Sequence, residues 1–346
     1  MNRPLRLTML AVLAASHGVN DLLAGWLLGG ELPEHTLWGR LPWLVVYAAL
    51  AFAGQMPAAW VIDRSRRLAP WLAAALGLMV VVVAMRDQAP GGAIIVSGVA
   101  SALCHVAGGA LAMQLPRGER ALGWFSAPGI VGLTLGGWLG HTQGAPAGWI
   151  ITIPLTLLTA CIALRGRWPE HSQETASSPP DKVDAHDGLM LLLLLALTLR
   201  SALWDLVQAV DLDNPYALFL IAASAAAGKV LGGWMISRYP KVHHISAVMF
   251  AACLLLEVGR WNMAGLCGGI ALLQSTIPAS IILLQRTFGA TPAMAAAYGL
   301  GVTVALGGLM VPESAHSSGL GIALAAVAAA LFGLSLRRQR RLWLAG

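Results

Sequence analysis

The chain of 346 residues is 57% hydrophobic and only 11% charged, with a mean hydropathy of +0.71, whereas a soluble globular chain carries about 25% charged residues. That composition excludes a soluble enzyme. Because each bilayer crossing takes about 20 apolar residues, the chain has room for about a dozen spans and for no sizeable second domain. A formal charge of +6 and a pI near 9.5 do not by themselves indicate nucleic acid, since the basic residues must first be placed relative to the bilayer.

The apolar runs are near-continuous and rich in Leu, Ala and Gly, which predicts helices; a transmembrane barrel would alternate apolar and polar residues over about ten positions. At the N-terminus Arg3 and Arg6 precede an apolar stretch in the manner of a signal peptide. Asp21 within that stretch, and the many later spans, predict a retained first helix instead. Apolar windows and breakers then predict twelve helices, at 7–28, 41–62, 69–85, 92–114, 120–140, 147–164, 188–209, 215–236, 245–259, 263–285, 292–311 and 318–336. The polar stretch from Arg165 to Asp187, with Pro169, Pro179 and Pro180 among acids and bases, has the composition of a solvated linker. It divides the chain into a six-helix bundle at 1–164, a cytoplasmic linker at 165–187 and a second six-helix bundle at 188–346. Cys104, Cys161, Cys253 and Cys267 fall in apolar runs without CxxC spacing, so they are expected to be small core residues and not metal or redox sites.

With the N-terminus inside, 17 of the 22 Lys and Arg residues fall in cytoplasmic segments, among them Arg64, Arg66, Arg67, Arg117, Arg120, Arg238 and the cluster from Arg337 to Arg341. The outer loops hold Arg40, Arg86 and Arg260, and Arg200 and Lys229 lie inside spans. Basic residues at span ends resist translocation, so both termini are expected in the cytoplasm, with the protein in a bacterial-type inner membrane. The dispersed positive charge leaves no single basic face for nucleic acid.

An internal repeat decides the architecture. Ala53-Gly54-Gln55-Met56-Pro57-Ala58-Ala59-Trp60-Val61-Ile62-Asp63-Arg64 aligns without gaps on Ala227-Gly228-Lys229-Val230-Leu231-Gly232-Gly233-Trp234-Met235-Ile236-Ser237-Arg238, an offset of 174 residues. Leu135-Gly136-Gly137 is echoed by Leu306-Gly307-Gly308 at an offset of 171. Two parallel six-helix repeats around a site near the midplane are the plan of many secondary transporters. With Trp60-Val61-Ile62-Asp63-Arg64-Ser65-Arg66-Arg67 after Gly54, the chain resembles the major facilitator superfamily over essentially its whole length, which implies that fold. Gly54, Asp63, Arg64, Arg67, Lys229 and Arg238 are then candidates for charge pairs that gate the cytoplasmic side, or for bases that only fix topology. The second copy has Ser237 in place of the acid. Gly132, Gly136 and Gly140 recur every four residues on one face of the fifth span, which allows close helix approach. The stripe resembles the glycine-rich fifth-span motif of the superfamily's exporters, with Gly137 where a proline is usual.

Ionisable side chains inside a bilayer are costly and are functional candidates by default. His17 and Asp21, four apart, share a helix face, with Asn20 beside them. They form either a proton-exchanging pair or a hydrogen-bonded pair that fixes packing. His105, midway along the apolar fourth span, is a ligand or a satisfied core histidine. In the seventh span Arg200 needs an acid or an anion, with Asp21 the obvious protein partner, and Trp204 and Asp205 follow. Gln274, with Ser275, Thr276 and Pro278, marks a kink in the tenth span that lines a cavity or is satisfied by its own hydroxyls. Trp26, Trp43, Trp149 and Trp261 are expected in the interfacial belt.

His17-Asp21-Gly25, Ser101-Ala102-Leu103-Cys104-His105 and Arg200-Ser201 resemble the fosmidomycin-resistance group of drug exporters, although after His105 this chain has Val106 and Ala107 where that group usually continues with a proline and then an acid. The resemblance implies a central-cavity role for His17, Asp21, His105 and Arg200. The expected function is proton-coupled export of a small organic molecule, anionic or drug-like, by alternating access. Uptake of a small metabolite by proton symport is the alternative, with divalent-metal transport through His17, Asp21, His105 and Asp205 behind it. A monomer in the lipid bilayer is expected, with a small-molecule substrate, the proton gradient as energy source and no cofactor or resident metal. No Gly-x-Ser-x-Gly, HExxH or Walker A pattern occurs, so neither an intramembrane enzyme nor an ATP-driven pump is expected.

Overall fold

The computed structural model describes residues 3–30, 37, 41–143, 145–164, 168, 194–195, 197–203, 215–238, 243–259, 262–288, 291–310, 327, 330 and 334. These residues are helical, apart from turns and an isolated bridge between Leu37 and Leu41. In chain order the helices are α1 (Arg3–Gly29), α2 (Trp43–Ser65), α3 (Leu68–Met85), α4 (Pro90–Gln114), α5 (Gly118–Gln143), α6 (Ala145–Leu164), α7 (197–203), α8 (Pro215–Arg238), α9 (His243–Gly259), α10 (Met263–Phe288) and α11 (292–310). Each expected span from the first to the sixth and from the eighth to the eleventh coincides with one of them. The expected span at 188–209 is described only in part. The span at 318–336 and the 165–187 linker lie outside the described residues except at single positions.

Seven of the described helices are long and apolar enough to cross a bilayer. Helices suit that solvent because every backbone polar group is satisfied within the segment. The outward faces are apolar: on α6, Trp149, Ile150, Ile153, Leu157 and Leu164 are between 60% and 84% exposed. An apolar band of that extent is untenable in water and is at home against lipid. Cys161 lies on the same outward face, so it faces lipid and is not the core residue expected, whereas Cys104 and Cys253 are buried. Inside, α4 is buried without interruption from Ala100 to Met113 and serves as the central post of the first bundle.

Small residues set the tightest packing. A Cβ at Gly132, Gly136 or Gly140 of α5 would run into the carbonyl oxygens of Gly18, Leu22 and Trp26 on α1, and Gly25 and Gly29 answer from the other side against Leu133 and Gly137. The stripe is therefore the α1–α5 contact, backbone against backbone. Gly307, in the sequence echo of this stripe, packs less tightly, against Ser201 and Ala202 of α7. Trp26 is not in the interfacial belt. It is 1% exposed, with the Arg86 guanidinium 4.6 Å above its ring and Gly148 against its edge, because the glycines open a slot wide enough for the indole.

Two of the described helices are interrupted by π-helical turns. In α2 the turn Ala49–Ala53 is π-helical, and the Gly54 N–H donates to Ala49 O at 3.0 Å. Pro57 lacks the N–H that would bond Ala53 O, which relaxes the ladder at this point. Gly54 is needed here because a Cβ would strike Leu50 O. In α11 the turn Ala297–Val302 is π-helical as well. The basic turns after α2 and α4 each place an arginine in the left-handed region, Arg66 at φ 55° and Arg117 at φ 61°.

Candidate functional site

Two imidazoles and a carboxylate meet in the core of the first bundle. The four-residue spacing on α1 turns His17 and Asp21 to one side, and α4 brings His105 opposite them. His17 Nε2 lies 3.0 Å from His105 Nε2 and 3.2 Å from Asp21 Oδ2, and His105 Nε2 lies 3.7 Å from Asp21 Oδ1. The His17 ring stacks on Phe125 of α5 with 4.6 Å between centroids and meets His105 edge-on at 4.7 Å. Both histidines are buried, at 3% and 8% exposure.

The partners of the outer nitrogens fix where the ring protons are. His17 Nδ1 is 2.7 Å from Phe125 O, and His105 Nδ1 is 2.7 Å from Ser101 O. A carbonyl oxygen only accepts, so both Nδ1 atoms donate, and a neutral imidazole has no second proton. Two Nε2 lone pairs and a carboxylate would therefore face one another with nothing between them. One added proton on either Nε2 converts the arrangement into an N–H donor shared between the other imidazole and Asp21. As folded, the trio turns two Nε2 atoms and a carboxylate toward one another.

A polar shell holds it. Asn20 Nδ2 donates to Asp21 Oδ1 at 2.9 Å and to Ser101 Oγ at 3.3 Å, and Tyr47 of α2 donates to the same hydroxyl at 3.3 Å. A Cβ at Gly129 of α5 would lie 2.5 Å from Asp21 Oδ2 and 2.6 Å from His17 Nε2, so the trio needs glycine there. Sequence reasoning gave Tyr47, Ser101, Phe125 and Gly129 no role in the site. Ser101 stood in a recognised motif and Gly129 lies three residues before the stripe of Gly132, Gly136 and Gly140, whereas Tyr47 and Phe125 carry no signal, being supplied by folding alone.

Of the expected binding residues, His17, Asn20, Asp21 and His105 come together. Arg200 does not pair with Asp21: the carboxylate's partners are His17, His105 and Asn20, because the two imidazoles reach it from its own helix and from α4. Arg200, buried at 5%, donates to Ser201 Oγ at 3.1 Å. Trp204 and Asp205 lie outside the described residues. Gln274 is buried on α10, and its neighbours turn back on their own helix: Ser275, Thr276 and Ser280 donate to Leu272 O, Leu273 O and Thr276 O, each at 2.7 Å.

Among the gating candidates, Lys229 reaches furthest. From α8 its Nζ donates across the bundle boundary to Ser126 O of α5 at 3.1 Å, one residue from the carbonyl that holds His17. Pro128 loosens this turn of α5, and the carbonyls of Phe125 and Ser126 just before it both accept side-chain bonds. The same boundary is crossed at Gln55, whose Nε2 approaches Leu300 O of α11 at 3.4 Å, at Asp63, which accepts from Thr291 at 2.6 Å, and at Ser237, which accepts from Arg120 Nε at 2.6 Å. Gly123 and Gly233 let α5 and α8 touch through their backbones. Arg64 lies over the Trp60 ring, 3.3 Å from its centroid, and Arg67 and Arg238 are exposed.

No protein-family model matches the chain, and neither does any curated protein. Solved structures do match. The major facilitator superfamily transporter FucP, in its outward conformation, superposes with a TM-score of 0.66 at 14% identity, over 95% of this chain and 98% of that one. A variant of the E. coli fucose:proton symporter FucP superposes with a TM-score of 0.62 at 13% identity, over 96% of this chain and 97% of that one. With its membrane-crossing helices and this likeness over nearly its full length, the chain is a multi-pass membrane protein with the fold of the major facilitator transporters.

Proposed function

We propose that the protein is a proton-coupled secondary transporter of a bacterial-type inner membrane, exporting a small organic molecule by alternating access as a monomer, with no cofactor beyond the proton gradient. The observation that carries this reading is the trio in which His17, His105 and Asp21 require one added proton to satisfy their facing acceptors. Asp21 and its imidazoles take that proton from the outer side and release it to the cytoplasm. Lys229 and Arg200 supply positive charge for an anionic or drug-like substrate, with Asn20, Gln274, Trp204 and Asp205 as further contacts. The bonds from Asp63 to Thr291 and from Arg120 to Ser237 hold shut the end that carries the basic loops, taken as cytoplasmic. Likeness of the His17-Asp21-Gly25 and Ser101-to-His105 motifs to the fosmidomycin-resistance group supports export. Proton-driven uptake is the second reading, favoured by the neighbour's description as a fucose:proton symporter.

Survival of an overexpressing strain against a panel of compounds names the substrate. Purified protein in liposomes then tests the coupling. With Asp21→Asn, transport driven by a proton gradient is expected to fall to the level of empty liposomes; unchanged gradient-driven transport would falsify the assignment.

A further inference from the structure

The three inward atoms of the trio are also a metal ligand set. We propose that His17 Nε2, His105 Nε2 and an Asp21 oxygen form a binding site for one first-row divalent cation of the Zn²⁺ class, in the place otherwise taken by the proton. The donor set points to that class: two imidazole nitrogens and one carboxylate suit zinc and its neighbours, whereas magnesium and calcium call for oxygen shells.

The spacing agrees. Two ligands at about 2.0–2.1 Å from a tetrahedral zinc stand about 3.3 Å apart; here the two Nε2 atoms are 3.0 Å apart, and the carboxylate lies 3.2 Å from His17 Nε2 by Oδ2 and 3.7 Å from His105 Nε2 by Oδ1. All three ligand atoms lie within 4.8 Å of one another, so small rotations about side-chain bonds bring them to a common centre.

The second independent feature is the outer shell. Metal-bound imidazoles donate their far N–H to a carbonyl or carboxylate, which fixes the tautomer and aims the lone pair inward. Here Phe125 O and Ser101 O do this for both rings, and Asn20 Nδ2 holds the carboxylate by Oδ1. The Asp21 side chain keeps 13% exposure, which leaves a side for water or a bound anion as fourth ligand. Among the described residues no other group of three His, Cys, Asp or Glu side chains converges in this way.

The proposal stands whether or not the trio carries the coupling proton. Titration calorimetry of the purified full chain in detergent with Zn²⁺ alone is expected to show one site per chain, with no binding of Mg²⁺ at the same concentrations. His105→Gln and His17→Gln are each expected to weaken the affinity at least about tenfold, and His141→Gln, exposed at the far end of α5, to leave it unchanged. X-ray absorption of the zinc-loaded wild type, which needs no variant, is expected to report two imidazoles in the first shell. Absence of one-site Zn²⁺ binding, or a first shell without paired imidazoles, overturns the proposal, as does affinity unaltered in both folded histidine variants. Gradient-driven transport measured without metal keeps the two readings apart: intact coupling with no Zn²⁺ site overturns only this inference, and a Zn²⁺ site without proton dependence overturns only the proton reading.

Discussion

The first bundle and helices α8–α11 meet along two seams that are copies of one another, built with different charges. Gln55 on α2 and Lys229 on α8 are 174 positions apart, and so are the carbonyls they reach, Leu300 and Ser126. Nearer the basic loops, Asp63 and Ser237 are again 174 apart, and their partners Thr291 and Arg120 differ by 171. These are the two offsets of the sequence repeat, so the repeat extends to individual hydrogen bonds. The trio has no such copy: at an offset of 174, His17, Asp21 and His105 correspond to Leu191, Leu195 and Ala279. The two seams share the sequence offsets of the repeat, and their chemistry differs where the residues at those offsets differ. Of the two seams, the α5–α8 seam is the one that touches the trio, because Ser126 adjoins Phe125 and because a half-buried amine stands where the other seam has a neutral amide.

The largest expected effect comes from Gly129, with the buried Thr303, 174 positions further on, as its control. Gly129→Ala places a methyl group 2.5 Å from Asp21 Oδ2 and is expected to abolish gradient-driven transport in liposomes, with a stability loss of about 1–3 kcal/mol from overpacking in a thermal melt. Thr303→Ala, which removes a bond to Gly299 O at 3.2 Å, is expected to keep the proton dependence. Equal loss in both would make the trio's position on α5 irrelevant.

The seams themselves come next. Lys229→Met removes a charge-assisted bond, a class worth about 1.5–3 kcal/mol, and is expected to slow transport about 10- to 100-fold. Gln55→Leu removes a long neutral bond and is expected to slow it about 2- to 10-fold. Initial rates in liposomes decide, and equal effects would mean that the amine's nearness to Phe125 carries no function.

The frame was legible in the sequence because each part of it has a one-dimensional signature. Apolar run length gave the described spans, and small-residue spacing gave the α1–α5 contact. Within the site, His17 and Asp21 were legible together because four residues make one helical turn, but nothing in the chain announced that His105 would lie 3.0 Å from His17. That distance depends on how closely α1, α4 and α5 pack, which the glycines of α5 determine in three dimensions. The same limit explains Arg200, whose spacing suggested an open need for an acid. Asp21 had already been claimed by two imidazoles, one of them from a helix far away in sequence. Ser237 stands in sequence where the first copy has an acid; in the fold the charge is on the other partner, Arg120.

That last exchange supplies the smallest and sharpest prediction. Ser237→Asp puts a carboxylate where Arg120 Nε already donates at 2.6 Å, making the α5–α8 seam resemble the Asp63 seam more closely in charge. The pair is partly exposed, so the gain is that of a surface ion pair, about 0.2–1 kcal/mol. It applies only to the conformer in which the two helices touch, and so the closed state is favoured by up to about fivefold and turnover slows by the same factor. Two controls separate this from a generic loss. In 1 M salt, where screening acts within about 3 Å, the slowing is expected to shrink, and in an Arg120→Gln background the added acid is expected to have no effect. Slowing that persists without Arg120 would mean that Ser237 acts through something other than the seam.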